Sequence, residues 1–454
     1  MSKDFSNKTQ DNSPLRIAYL TGEYPRVTDT FIQREVAALR QQGEVNETTV
    51  QTFSVRLPQS YESLSTAQKE ESDRTRYLLP VQPLELLTAH SLLLFTRPRR
   101  YLKTLRLAWK TRQLGVRGTI YQLIYFLEAG ILTRWLHHLG IEHLHNHFGD
   151  SSGTVTMLAS ALGDFGYSMT LHGPAIFFEP YRWQLSEKIS RAKFVSCISY
   201  FCRSQAMIFA PLSAWPNLHI VHCGIDPKAF AERAFADVET LTSAQRTGHR
   251  LLFVGRLAAA KGLPILLQSM AELKLTCDDI QLTVVGDGED RAVLEAQVSA
   301  LNLTESVDFV GYQSPDAVQG YLRQSDIFVM SSFAEGVPVV LMEAMMAGLP
   351  VVATQIAGIS ELVEEGVNGF IVPPGDIPSL TARIQRLMAD GDLRRQLGDR
   401  GRVKVSESFN IHHEAKKLHQ LMLSSYGLSP GISRQASTPP NTPSSPPKSK
   451  VGAF

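Results

Sequence analysis

Cysteine is scarce in this chain. Four residues, Cys197, Cys202, Cys223 and Cys277, are spread over 454 positions. None forms a CxxC pair and their spacing fits no zinc ribbon, which excludes the common cysteine metal motifs. Scattered thiols in so long a chain point to a reducing compartment rather than a disulfide scaffold. Net charge is nearly absent as well. The balance of 45 basic and 44 acidic side chains leaves +1, so no overall field attracts nucleic acid. No run of about twenty apolar residues without charge occurs, and a transmembrane helix is not expected. Met1 to Ser13 are polar and lack the apolar centre of a signal peptide. The expectation is a cytoplasmic protein, with attachment at the inner face of a membrane left open.

What remains is an ordinary globular balance, 43% hydrophobic and 20% charged. The length exceeds what one hydrophobic core organises, so two domains are expected. The first apolar run, Leu15 to Leu20, has strand length and ends in the turn-like Thr21-Gly22-Glu23-Tyr24-Pro25. A helical pattern follows over 30–40, with Phe31, Val36 and Leu39 on one face and Gly43 past its end. Residues 51–80 read as loop-rich, and 84–114 as helical and basic. Further strands are expected at 141–147, 168–171, 194–198 and 218–222. Residues 230–249 read as a polar linker. A second series then begins, with strands at 250–254, 281–285, 307–310, 327–330 and 350–353. Helices between them are expected at 263–275, 289–301, 316–324 and 338–347.

Strands alternating with helices imply parallel sheets. The fold class expected is therefore α/β, with two Rossmann-like domains facing a deep cleft. The first covers 14–235 and the second 248–409. A last helix over 411–426 is expected to pack back on the first domain. The Pro- and Ser-rich tail 429–454 cannot bury a core, and disorder is expected there.

Ligands of such sheets bind beyond the carboxyl ends of the strands. There, Gly255-Arg256-Leu257 follows a strand and Lys261-Gly262 comes soon after. Arg offers forked hydrogen bonds and Lys a point charge, a pair suited to a diphosphate. The alternative is a solvated basic loop. Gly286-Asp287-Gly288 begins a GxGxxG pattern, but Arg291 replaces its third glycine. A bulky residue there opposes the close helix packing of dinucleotide sites, so the segment reads as a tight turn lining the cleft.

The densest segment is Ser331 to Pro350. Pro338 suits a helix start and Gly348 a helix end. The start of that helix offers unpaired N–H groups to an anion. Glu335 precedes it and Glu343 lies inside it, flanked by Met342, Ala344, Met345 and Met346. The bland alternative makes Glu335 a partner of the helix dipole and Glu343 a surface residue. A carboxylate among apolar neighbours is costly without a role.

These residues, with the following "AGLPVVATQIAGISELVEEGVNGFIVPPGD", resemble the GT-B retaining glycosyltransferases of family 4. The likeness is most specific over 250–376. It implies a nucleotide-sugar donor held by the second domain, with no metal and no cofactor. By resemblance, Arg256 and Lys261 bind the diphosphate, Glu343 the ribose, and Gly311-Tyr312 lies near the base. Glu335 and the Gly336-Val337 backbone engage the sugar hydroxyls. "TLHGPAIFF" resembles the family's histidine loop, so the likeness makes His172 catalytic together with Glu335. "EYPRVTDTFIQREVAAL" is similar to the opening of exopolysaccharide and colanic-acid-type members, which usually carry Glu where Asp29 stands. "HCGID", His222 to Asp226, is similar to the end of the family's first domain. Gly22 and His147 are the acceptor-side candidates.

His143, His145 and His147 alternate and so share one face of a strand. That also raises a zinc reading, which lacks a fourth ligand at a recognisable spacing. Residues 97–117 hold eight cations and no acid, with Leu102, Leu105 and Trp109 among them. Such a stretch can lie on an anionic membrane or pack on the sheet with a solvated basic face. The resemblance implies sugar transfer to a growing glycan or a lipid-linked acceptor in cell-surface or exopolysaccharide synthesis. The rivals are a non-catalytic nucleotide-sugar-binding partner subunit and a sugar epimerase on the same scaffold.

Overall fold

The structure, a computed structural model, describes residues 15–26, 29–46, 49–59, 61–234 and 249–428. The expected tail 429–454 and most of the expected linker lie outside the described residues. Two parallel sheets form the frame. The first contains β1 (Arg16–Glu23), β2 (Thr49–Arg56), β3 (Arg76–Tyr77), β4 (His143–His147), β5 (Gly166–Leu171), β6 (Phe194–Cys197) and β7 (Leu218–Ile220). Their order is β3-β2-β1-β4-β5-β6-β7. The second contains β8 (Arg250–Val254), β9 (Gln281–Val285), β10 (Val307–Gly311), β11 (Ile327–Met330), β12 (Val351–Thr354) and β13 (Phe370–Val372). Their order is β10-β9-β8-β11-β12-β13. In both, the order reverses beside the first strand, which opens a crevice at the carboxyl ends.

The composition of the strands explains the layering. A parallel strand covered by helices on both faces becomes a continuous apolar run. β11 is one such strand, with Ile327, Phe328, Val329 and Met330 all buried. β4 departs furthest from this. All five of its residues are buried, yet three are histidines, so its polar atoms must find partners inside the protein.

Several expectations are corrected. Residues 51–80 are not loop-rich, because β2 and the helix Thr66–Arg74 occupy much of them. The strand was hidden because it buries Thr52 and Ser54 as well as Phe53 and Val55, so polarity did not alternate with burial. The helix expected to stop before Gly43 runs from Thr30 to Asn46. β13 adds an edge strand within the segment that had been read only as motif.

The helix Ile411–Ser424 leaves the second series and returns to the first sheet. Its Ala415, Leu418 and Met422 join Ile17, Tyr19 and Val36 in one apolar cluster. Just beyond it, the Tyr426 hydroxyl donates to the Glu142 carbonyl at 2.8 Å.

Candidate active site

The carboxyl ends of both sheets meet at a backbone contact. A Cβ built on Gly336 would collide with the carbonyl oxygen of His172, and one on Gly173 would touch Gly336 at 3.6 Å. At position 336 only glycine permits this approach of the two backbone segments. Nearby, Glu361 accepts from the backbone N–H groups of Tyr200 at 2.8 Å and Phe201 at 2.9 Å. A carboxylate from the second half thus caps the first turn of the helix Tyr200–Phe209 in the first.

Arg256 and Lys261 do not share a partner. Arg256 is largely exposed and pairs with Glu289 at 2.9 Å. Lys261 Nζ lies 2.6 Å from Glu335 Oε1, and Ser332 Oγ donates to that same oxygen at 2.8 Å. The Glu335 side chain is only 10% exposed, so its charge is held by the cation and the hydroxyl together. Glu335 is thereby a fixed anion rather than a free group. Val337 is buried, and the Gly336 carbonyl accepts from Gly358 N–H at 3.1 Å.

Glu343 lies in the helix Val339–Met346 and pairs with Arg34 at 2.6 Å. Arg34 belongs to the helix Thr30–Asn46 of the first half. The helix Val339–Met346 begins at Pro338 with no side-chain cap on its N–H groups, which leaves its positive end available to an anion.

The GxG segment has a structural task. A Cβ on Gly286 would meet the Gly255 carbonyl, and one on Gly288 the Leu257 carbonyl. The two loops pack back to back through Gly255 N–H to Val285 O at 2.9 Å and Leu257 N–H to Asp287 O at 3.0 Å. Arg291 pairs with Glu295 at 2.8 Å and Asp287 at 3.3 Å and donates to Phe309 O. Gly311 adopts φ 74°, followed by the half-exposed Tyr312. A Cβ on Gly22 would meet no described atom within 4 Å.

The three β4 histidines divide by role. Tyr426 gives its proton to Glu142 O, so it accepts from His143 Nδ1 at 3.0 Å. His143 Nε2 then accepts from Ser168 at 2.7 Å, and Ser168 accepts from His145 Nδ1 at 2.7 Å. His145 Nε2 accepts from Thr170 at 2.9 Å. Every ring nitrogen of this pair has a partner. Burial depresses both imidazole pKa values, that of His143 to about 3, which keeps the rings neutral. Single ligand atoms of Glu35, His145 and His147 do lie within 4.8 Å of one another. Their hydrogen bonds satisfy them without an ion.

His147 is fully buried and bridges His172 and Glu35. Its Nδ1 lies 2.7 Å from His172 Nε2, and its Nε2 lies 3.1 Å from Glu35 Oε1. Phe31 and Phe148 flank the His172 ring at centroid distances of 4.6 and 4.9 Å. Phe148 itself holds φ 70°, an uncommon state for a non-glycine residue.

Sequence reasoning missed Arg34, Glu35 and Ser332. For Glu35 a signal existed: Phe31, Glu35 and Leu39 are spaced by four and share one helix face. For Arg34 none did, since its partner is far along the chain.

Residues 243–404 match the family model "Glycosyl transferases group 1", so this part of the chain carries a group 1 glycosyltransferase domain. The amylovoran biosynthesis glycosyltransferase AmsK of Erwinia amylovora is 31% identical over 212 residues, covering 45% of this chain and 50% of that protein. The 2-deoxystreptamine glucosyltransferase of Streptomyces kanamyceticus is 31% identical over 223 residues, covering 47% and 56%. The chain thus spans about half the length of the curated relatives it matches. Among solved structures, Anabaena Alr3699/HepE in complex with UDP superposes with a TM-score of 0.68 at 17% identity, covering 90% of this chain and 100% of that one. Sucrose-phosphate synthase from Thermosynechococcus elongatus gives 0.67 at 20% identity, covering 91% and 99%. The fold is that of the GT-B glycosyltransferases.

Proposed function

We propose that the protein transfers a sugar from a nucleotide-sugar donor to a growing glycan or lipid-linked acceptor, with retention at the anomeric carbon, in cell-surface or exopolysaccharide synthesis. The observation that carries this reading is the Lys261–Glu335 pair beside the uncapped start of the helix Val339–Met346. Lys261 and Arg256 would take the donor diphosphate, each exchanging a carboxylate partner for phosphate oxygens. Glu343 would hold the ribose, Gly311 would lie near the base, and Glu335 with the Gly336-Val337 backbone would meet sugar hydroxyls. His172 would face the sugar from the other half, with Gly22 and His147 on the acceptor side. The relatives' names support the donor and the pathway class, since AmsK is named for amylovoran biosynthesis and HepE was solved with UDP.

In the transfer step the bond from C1 to the diphosphate oxygen breaks and a bond from C1 to the acceptor oxygen forms on the same face. The acceptor proton passes to the leaving diphosphate. Lys261, Arg256 and the helix start stabilise the charge that develops there, a task a metal performs elsewhere. No metal or cofactor is needed in this scheme. The two donors already on Glu335 favour hydroxyl binding over nucleophilic attack. Incubation with UDP-, GDP- and ADP-sugars, followed by NMR of the product's anomeric proton, tests the reading. An inverted product contradicts it.

The proposal places the protein in the cytoplasm, at the inner face of an anionic membrane. No described helix is long and apolar enough to cross a membrane. Instead the helices Pro83–Thr96, Pro98–Thr111 and Val116–His138 expose large apolar side chains in one stretch, including Phe95, Trp109 and Val116. A groove of about 540 Å³ runs between Leu102, Leu105, Trp109 and Leu123, with Arg106 and Arg112 on its border. Arg99, Lys103, Arg106 and Arg117 form no ion pair with a described residue. Apolar surface ringed by cations suits a lipid surface better than water.

A further inference from the structure

Glu35 has no assigned task in the transfer scheme, yet it is one of the more costly residues in the fold. It is 7% exposed, and its only ion-pair partners among the described residues are His145 and His147. A buried carboxylate without a permanent cation is retained only where its hydrogen bonds matter. Those bonds come from Tyr19, whose hydroxyl donates at 2.8 Å, and from His147 at 3.1 Å.

We propose that Glu35 and His147 are positioning residues that lock His172 into one tautomer, with Nε2 protonated and Nδ1 left as an acceptor for a substrate hydroxyl. The inference rests on the glycosyltransferase reading above for the identity of that hydroxyl, but its proton logic does not. Burial raises the Glu35 pKa while His145 and the Tyr19 hydrogen bond oppose it; in its carboxylate form Glu35 only accepts, so His147 presents Nε2–H to it. In a neutral ring the other nitrogen then accepts, and His172 must donate from Nε2 across the 2.7 Å contact. His172 Nδ1 is left with a lone pair. Its one partner among the described residues is the thiol of Cys223 at 3.5 Å, a weak donor. The stacked rings of His147 and His172, 4.9 Å apart, and the flanking Phe31 and Phe148 hold the imidazole in plane. His172 is thus set to accept a hydrogen bond from the sugar, not to give up a proton. The second carboxylate of the site, Glu335, approaches from the opposite half and cannot supply this orientation.

The test is ¹⁵N NMR of the full chain labelled at histidine, with His172 assigned by its loss in His172→Gln. The expected spectrum shows His172 protonated at Nε2 and bare at Nδ1, without any donor present. Protonation at Nδ1 overturns the proposal. Kinetics give a second arm. Glu35→Leu should lower kcat by about a hundredfold while the donor KM changes less than about threefold. Glu35→Gln keeps an oxygen that accepts both hydrogen bonds and should recover most of kcat. Equal kcat in all three proteins overturns the proposal. If the wild-type protein turns over no nucleotide-sugar, the functional reading fails, and the tautomer measurement still decides this one.

Discussion

Arg34 and Glu343, 309 positions apart in sequence, meet at 2.6 Å across the two halves of the molecule. Glu343 is the residue proposed to hold the donor ribose. While Arg34 occupies it, the ribose must displace a guanidinium.

Removing that competitor should therefore favour the donor. The side chains are 22% and 15% exposed, so the pair is partly screened and worth roughly 1 kcal/mol. Arg34→Met is expected to tighten nucleoside diphosphate binding about fivefold, read by calorimetry. Weaker binding in this variant would show instead that Arg34 serves the donor.

The pair of Lys261 with Glu335 predicts the opposite outcome. Lys261→Ala removes the cation from the proposed diphosphate site and leaves the Glu335 carboxylate with Ser332 as its remaining described donor. Transfer is expected to fall by about a thousandfold, the scale of losing one preorganised group at a developing charge. Steady-state kinetics at saturating donor measure it, and turnover near the wild-type rate would remove Lys261 from the chemistry.

The second half of the chain was far more legible than the first. β8, β9 and β11 lie where the apolar runs ended, because buried parallel strands announce themselves as continuous apolar segments. Lys261 and Glu335 stood out because they sit on loops with recognisable glycine and proline punctuation, and the structure pairs them, whereas it pairs Glu343 with Arg34. The partners were not. Arg34 reaches Glu343, and Glu361 reaches Tyr200, through the way two sheets face each other, and no local spacing encodes that. The histidines of β4 were placed on one face correctly. That His143 and His145 are satisfied by Ser168, Thr170 and Tyr426 while His147 meets His172 depends on neighbours distant in sequence.

Glu128, on the helix Val116–His138, predicts a pH dependence of stability. It is buried, its Oε2 has no hydrogen-bond partner among the described residues, and burial raises its pKa from 4.5 to about 7. Between those values the folded protein keeps a proton that the unfolded chain has lost, so this group's contribution falls as pH rises through that window. The full effect above pH 7 is about 3 kcal/mol. Glu128→Gln cannot ionise. Its thermal midpoint should match the wild type near pH 4.5 and exceed it at pH 8. Equal midpoints at both pH values would contradict the assignment.

The apolar helices predict binding to vesicles. The protein should cosediment with vesicles containing anionic phospholipid at low salt and be released at high salt. Replacing Leu105 and Trp109 with serine should abolish binding even at low salt, because both are exposed and line the groove. Unchanged sedimentation of the double variant would move the contact elsewhere.

The central claim is that the second half of the molecule holds a nucleotide-sugar through Lys261 and Glu343. Thermal unfolding of the full chain against UDP-, GDP- and ADP-sugars tests it most directly. Binding of the native state alone raises the midpoint, by roughly 1 °C for each kcal/mol gained in a chain of this length. The account predicts that at least one of these donors produces such a shift in the wild type and none does in Lys261→Ala with Glu343→Gln. No shift in the wild type, or an equal shift in the double variant, would contradict it.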